Sequence, residues 1–541
     1  NEYILIRNLL EKTSQKNLRS PISPYNNYKL IPKANDGYSE ETLTLTPFQK
    51  FISNISWTVL GKILVQILLF AISILLTRYL GKKNLGDYAT LLVIPVFIRL
   101  LNSFGFETLI NAKLPALNIR DSSRAEGRYL VGRLLALRFT TTVMFCVLIY
   151  YCLPYYLSLI HRPEFIEFRW VLIFYFAAIT IDSILSTLFM TLLRFKVLVK
   201  IESLGAFLNL IFLIIFIRMD YGIYGVLYAY ITSLVVTNLS YLILSWDQYL
   251  GPTKMPKCGD MKHLAWVSYG ITFFGFGLMT QSDVLLMNFF KVDGGEIGLY
   301  HLATGLTGTM VFLLSGVAPM ALSLFSETFS KDGLEELGKL YCKIVGFSSY
   351  LTVPIYMFCV FNSSVLINFI YGSAFEEASL ALVIFAAFAG IQTALGNNFT
   401  VSTLYVINKR NEAIRTTIEG SALNIGLNFL LIPVFGMLGA ITATGITMVY
   451  MVLRQLKIIS NEMKIAPVFP VIGKCFLYCL IASIPPLILT LIHSGNLITN
   501  LILYLTTLVA ILFWTKVLSD LGFLMNQPFS LKNFYGEKKQ T

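Results

Sequence analysis

A charge inside a lipid bilayer costs about 2.5–3.5 kcal/mol on insertion scales, so ionisable residues within apolar runs mark candidate chemistry. The run GKILVQILLFAISILLT places Lys62, Gln66 and Ser73 on one helical face. Lys62 either faces a cavity or snorkels its ammonium to the cytoplasmic surface from a packing stripe. The next run, LLVIPVFIRLLN, carries Arg99 and Asn102 one turn apart. A guanidinium presents a planar fork of donors that suits phosphate oxygens. Arg99 is therefore a candidate for holding an anionic headgroup; the alternative is a buried pair with an acid such as Glu107 or Asp182. In the third run, Arg133 reads as a membrane-surface anchor, and Arg138 lies deep enough to face a cavity.

Four acids, Asp182, Glu202, Asp283 and Glu419, also fall in apolar runs. An intramembrane carboxylate can bind a proton or Na⁺, or lock two helices in a salt bridge. Asp182 and Asp283 are the candidates for ion coupling, whereas Glu202 and Glu419 read as helix-start electrostatics. In the patch TQSD, helical spacing puts Gln281 on the face of Asn288 and Asp283 on another. Gln281, Asn397 and Asn398 are candidates for contact with a polar substrate. Asn424 and Asn428 form an i, i+4 pair suited to interhelical hydrogen bonds. No catalytic set, metal site or cofactor is expected. The four histidines are scattered, and the seven cysteines include no Cys-x-x-Cys.

The elements that carry these residues follow from composition. The chain of 541 residues is 56% hydrophobic and 13% charged, against about 45–50% and 25% for soluble domains. Its apolar runs of about 20 residues each match the hydrocarbon thickness of a bilayer. They predict an all-α polytopic membrane protein with fourteen spans, among them 52–78, 86–111, 264–290, 296–325 and 378–406. The net charge of +12 fits membrane topology better than nucleic-acid binding. Lys and Arg collect after even-numbered spans, for example Lys113, Arg120, Arg124 and Arg128, while the last three loops after odd-numbered spans carry none. The positive-inside rule then places both termini in the cytoplasm. Arg78, Lys82 and Lys83 go against this trend.

The chain also repeats itself. LTRYLGKKNLGDYATLL and LMNFFKVDGGEIGLYHLATGL share a helix–Gly/Lys loop–helix pattern at an offset of about 210 residues. FLNLIFLIIFIRMDYGIYGVLYAY and ALNIGLNFLLIPVFGMLGAITAT form a second pair. The expected organisation is a polar tail over 1–50, a six-helix lobe over 51–250, a second over 251–463, two further helices over 464–520, and a cytoplasmic tail over 521–541.

The blocks LLTRYLGKKNLGDYATLLVI and LNIGLNFLLIPVFGMLGAITATGI resemble oligosaccharide flippases (Wzx-like) of the multidrug/oligosaccharidyl-lipid/polysaccharide exporter superfamily. The resemblance covers roughly residues 50–520. It implies two pseudo-symmetric lobes arranged as a V, alternating access, and an inner-membrane flippase for surface polysaccharide biosynthesis. The implied substrate is an isoprenyl-diphosphate-linked oligosaccharide of undecaprenyl type. Membrane lipids and other polysaccharide-assembly proteins are the expected partners; nucleic acid is not. Two rivals make different demands. A cation-coupled drug antiporter favours an acid in the N-terminal lobe, where the first span offers Lys62 instead. A glycan polymerase or ligase needs an ordered outer segment with catalytic groups, and the outer loops are short.

Overall fold

The computed structural model describes residues 47–121, 123–192, 194–256, 261–278, 281–315, 318–492 and 496–515. The described residues from 54 onward belong to one compact unit, Asn54–Thr541. Most of the expected 1–50 tail and all of the 521–541 tail lie outside the described residues.

The first half contains α1 (Pro47–Leu101), α2 (Phe106–Arg120), α3 (Ala125–Leu159), α4 (Arg169–Thr191), α5 (Phe195–Arg218) and α6 (Gly222–Leu244). The second contains α7 (Met261–Thr272), α8 (Ser282–Phe289), α9 (Gly294–Ser315), α10 (Ala318–Phe361), α11 (Ser363–Ile370), α12 (Ala378–Ala394), α13 (Asn397–Val406) and α14 (Arg410–Glu462). Helices α15 (Val468–Leu491) and α16 (Leu497–Trp514) close the chain. Within each half neighbouring helices pack on one another: α5 on α6 and α4 on α6 in the first, α10 on α12 and α12 on α14 in the second. The last pair lies against each other and α10.

Among the described residues the chain is helical, as expected, and several of the expected spans are interrupted. Ten helical stretches among the described residues are long and apolar enough to cross a membrane. Three long elements each turn at a glycine: Gly81 (φ 72°), Gly333 (φ 80°) and Gly436 (φ 55°). A side chain at these positive φ angles would be strained, which is why glycine ends one span and admits the next. Other expected spans are broken. The 86–111 span stops at Leu101 and resumes at Phe106 after a left-handed Phe104–Gly105 step. The 378–406 span breaks at Gly396, also left-handed, and restarts with Asn397. The 264–290 span changes to a wider π-type winding over Phe273–Leu278 before α8. Broken helices are tolerated at membrane depth where they face protein or a cavity rather than lipid.

The two halves meet at both ends. At the end nearer Gly81, a Cβ added to Gly86 would sit 1.7 Å from the carbonyl oxygen of Gly294, and one on Gly298 would sit 2.2 Å from that of Lys82. The α1 and α9 backbones therefore touch directly, as small residues permit in membrane helices. Around this seam Lys82 pairs with Glu377 at 2.8 Å. Arg78 donates to the carbonyls of Ile370 (3.0 Å) and Phe369 (3.1 Å). Arg162 reaches Asp87 at 3.3 Å. At the opposite end, Phe104 stacks on Tyr269 with ring centroids 5.7 Å apart. There a Cβ on Gly105 would lie 2.3 Å from the Ala265 carbonyl oxygen.

Candidate functional site

Between these two seams lies a cavity of about 440 Å³, within the usual range of roughly 300–1,000 Å³ for small-ligand sites. Its wall draws on both halves: α1 (Val93, Val96), α4 (Tyr175), α8 (Asp283), α9 (Tyr300, Thr304), α12 (Gln392) and α14 (Thr444).

Asp283 is fully buried. Its Oδ2 accepts from the Tyr300 hydroxyl and the Thr444 hydroxyl, each at 2.6 Å. Its Oδ1 accepts from Asn428 Nδ2 at 2.7 Å. The network continues outward: Asn424 donates to Thr444 Oγ1 at 2.9 Å, and Asn428 also donates to Asn424 Oδ1 at 3.1 Å. Helices α8, α9 and α14 thus meet at one carboxylate through neutral donors. Among the described residues no Lys or Arg lies within 4.0 Å of it. Burial of a charge demands compensation, and hydrogen bonds alone offset it incompletely. A proton or a small cation would complete this arrangement.

A second group of charges occupies the half of the first lobe towards the Gly105 end. Arg99 is half-buried, one turn beyond the wall residue Val96, and interacts electrostatically with Asp182, Tyr175 and Tyr230. Asp182 in turn acts on Glu202, as does Lys62. Arg138 is 1% exposed and forms an ion pair with Glu107. It also donates to the Asn102 carbonyl and lies over the Phe106 ring, 5.2 Å from its centroid. The Ser183 hydroxyl donates to the same Glu107 oxygen at 2.8 Å.

The structure brings together some of the nominated residues and separates others. Gln281 and Asp283 line the same cavity, whereas Asn288 is buried in the seam, where its Nδ2 donates to Thr90 Oγ1 at 3.0 Å. The face assignment from helical spacing fails because α8 begins at Ser282, leaving Gln281 outside its register. Asn102 is fully buried and donates to Thr142 at 3.3 Å, so it packs α1 on α3. Arg138 is committed to Glu107. Arg99, Lys62, Gln66, Asn397 and Asn398 are all half-buried and do not line the cavity. Tyr300, Thr444 and Gln392 belong to the wall and carry no local sequence signal that would have singled them out.

The Arg138–Glu107 pair yields a direct expectation. Removing one partner of a buried pair costs about 3–5 kcal/mol, because the other charge stays buried. Arg138→Ala should lower the thermal midpoint of the purified protein, and Arg138→Met with Glu107→Gln should recover much of the loss. An Arg138→Ala protein of wild-type stability would show that the guanidinium serves something other than Glu107.

Comparison with known proteins places this arrangement. A model of the polysaccharide biosynthesis protein family matches residues 75–380. Two curated relatives come from Haloferax volcanii. The probable low-salt glycan biosynthesis flippase Agl15 is 22% identical over 263 residues, 48% of this chain and 54% of its own length. The probable flippase AglR is 19% identical over 278 residues, 51% and 57% of the two chains. The chain therefore spans about half the length of the curated relatives it matches. Among solved structures, the lipid II flippase MurJ in an inward closed conformation superposes with a TM-score of 0.66 at 15% identity, covering 85% of this chain and 99% of that one. An inward-facing MATE transporter of the MOP superfamily gives 0.61 at 17%, covering 73% and 95%. At these identities the structural likeness shows the fold alone: the helical bundle that these two proteins share. The curated relatives are named as flippases and the solved structures as a flippase and a transporter, so the polymerase or ligase reading is set aside.

Proposed function

This chain belongs to the polysaccharide biosynthesis protein family, and we propose that it is a flippase for an isoprenyl-diphosphate-linked oligosaccharide. It moves this lipid from the cytoplasmic to the outer leaflet of the cell's inner membrane by alternating access, making and breaking no bond. The observation that carries the reading is the cavity walled by both halves and closed by contacts at either end. Such a cavity opens to one side or the other when one seam parts. Positive charge in the loops makes the Gly81 end the outer face and the Gly105 end the cytoplasmic one. The isoprenyl chain stays in the bilayer while the polar headgroup passes between the halves.

In this reading Arg99 holds the diphosphate, with Lys62 nearby. Among the described residues Arg99 has no ion pair within 4.0 Å, although Asp182 is close. Its fork can therefore turn to phosphate without breaking a direct bond. Arg99→Ala should slow flipping about tenfold or more, the equivalent of a charge-assisted hydrogen bond of about 1.5–3 kcal/mol. Arg99→Lys should restore only part, since a point charge lacks bidentate geometry. Normal flipping by well-expressed Arg99→Ala would remove Arg99 from the site.

Asp283 is the proposed coupling group, binding H⁺ or Na⁺. One observation favours the rival antiporter: among the described residues Asp283 is the only Asp, Glu, Lys or Arg on the cavity wall, as a cationic drug would require. Three neutral donors already hold that carboxylate, which suits a small ion better than a bulky one.

Depletion of the protein tests the flippase reading. Lipid-linked glycan should accumulate on the cytoplasmic side, out of reach of an impermeant lectin added to intact cells. An undiminished outer pool would overturn it.

A further inference from the structure

Resting on the flippase reading, we infer that the cavity is a sugar-selecting subsite that admits uncharged and amino sugars and rejects sugars bearing a carboxylate. The wall offers both donors and acceptors in neutral form: Gln281, Gln392, Thr304, Thr307 and Tyr175. Such groups match sugar hydroxyls and acetamido groups, and Tyr175 and Phe385 add flat apolar surface against which a ring can lie. Among the described residues the wall contains no Lys or Arg. The two cations nearest in the first half do not line this wall: Arg138 is paired with Glu107, and Arg99 lies one turn beyond Val96, where in the flippase reading it holds the diphosphate.

A carboxylated sugar entering this space sheds water and meets no cation. The effective penalty for an uncompensated buried ion is several kcal/mol. It also meets Asp283, a second negative group. An amino sugar reverses the sign. Its ammonium is drawn by the Asp283 charge across the cavity without displacing the three donors that hold the carboxylate. His301, edge-on to Tyr88 with centroids 6.2 Å apart, is the one wall group that protonation would make cationic. The test therefore belongs at slightly alkaline pH, where an imidazole is neutral.

The purified protein is reconstituted in vesicles with three fluorescent short-chain polyprenyl-diphosphate lipids. They differ only in the sugar: N-acetylglucosamine, glucosamine or glucuronic acid. The first two should cross readily and the glucuronic acid lipid at least about tenfold more slowly, the effect of an unpaired charge. Gln392→Lys, or Thr304→Lys should the first variant fold poorly, supplies the missing cation and should speed the glucuronic acid lipid relative to the N-acetylglucosamine lipid. Equal rates for the acidic and acetylated lipids in the wild type would overturn the inference and leave the flippase reading intact. So would lysine variants that move the acetylated lipid without any gain for the acidic one. Failure of all three lipids to move would overturn the flippase reading and the inference with it.

Discussion

Asp283→Asn should abolish ion-driven transport while leaving the protein folded in the membrane. The substitution keeps the volume of the side chain and removes the charge. An amide offers one acceptor oxygen where the carboxylate offers two, so the hydroxyls of Tyr300 and Thr444 and the amide of Asn428 compete for it. The ion loses its charged partner, and one charge-assisted contact of about 1.5–3 kcal/mol corresponds to at least about tenfold in ion affinity. Asp283→Ala is the harsher change. It leaves three buried polar groups of α9 and α14 without their acceptor, so it should also lower thermal stability by a few kcal/mol. Transport measured against an imposed pH or Na⁺ gradient separates the two effects. Wild-type transport by Asp283→Asn, with its gradient dependence intact, would remove Asp283 from coupling.

A disulfide across the Gly81 seam should stop transport, and its reduction should restore it. The ideal Cβ of Gly295 lies 3.9 Å from the Cβ of Lys82, within the Cβ–Cβ range of about 3.5–4.5 Å that a disulfide needs. In a background stripped of the seven native cysteines, Lys82→Cys with Gly295→Cys should oxidise readily and hold α1 against α9. If this seam must part once per cycle, the oxidised protein should retain under about a tenth of its activity, because a covalent bond does not yield to the few kcal/mol that ligands supply. Gly86→Val makes the converse test. Its side chain has no room beside the Gly294 carbonyl, so the seam cannot close and the same cysteine pair should no longer cross-link. Full activity of the oxidised pair would show that the seam is a fixed joint.

Some of this was legible in the sequence and some was not. Gly81 and Gly436 stand in short polar or Pro-bearing loops between apolar runs, so the turns they make were readable from local chemistry. The break at Ser103–Gly105 was not, because hydropathy averages across a one-turn interruption, and LLNSFGFETLI remains apolar enough to pass as continuous helix. Asp283 was visible as a carboxylate in an apolar run. Its partners were not: Tyr300, Asn428 and Thr444 lie 17, 145 and 161 positions away, and only the packing of α8, α9 and α14 brings them together. Arg138 shows the same limit in reverse. It is buried, but its partner Glu107 lies 31 positions earlier, beyond a helix break, and that pairing takes it out of the cavity. Charge within a membrane marks where chemistry or pairing occurs; which of the two it is depends on contacts that spacing along one helix does not encode.

The central claim is that this bundle carries a lipid-linked glycan across the bilayer through the space between its halves. It is tested most directly with the purified protein in vesicles, with a fluorescent polyprenyl-diphosphate N-acetylglucosamine lipid incorporated in both leaflets. The fraction of lipid bleached by an impermeant, non-reducing bleaching agent, which leaves disulfides intact, is then followed with time. The account predicts that the inner-leaflet pool becomes accessible with wild-type protein, and that it stays protected with the oxidised Lys82→Cys, Gly295→Cys pair. Continued protection with folded wild-type protein, or equal loss of protection with the locked pair, would contradict it.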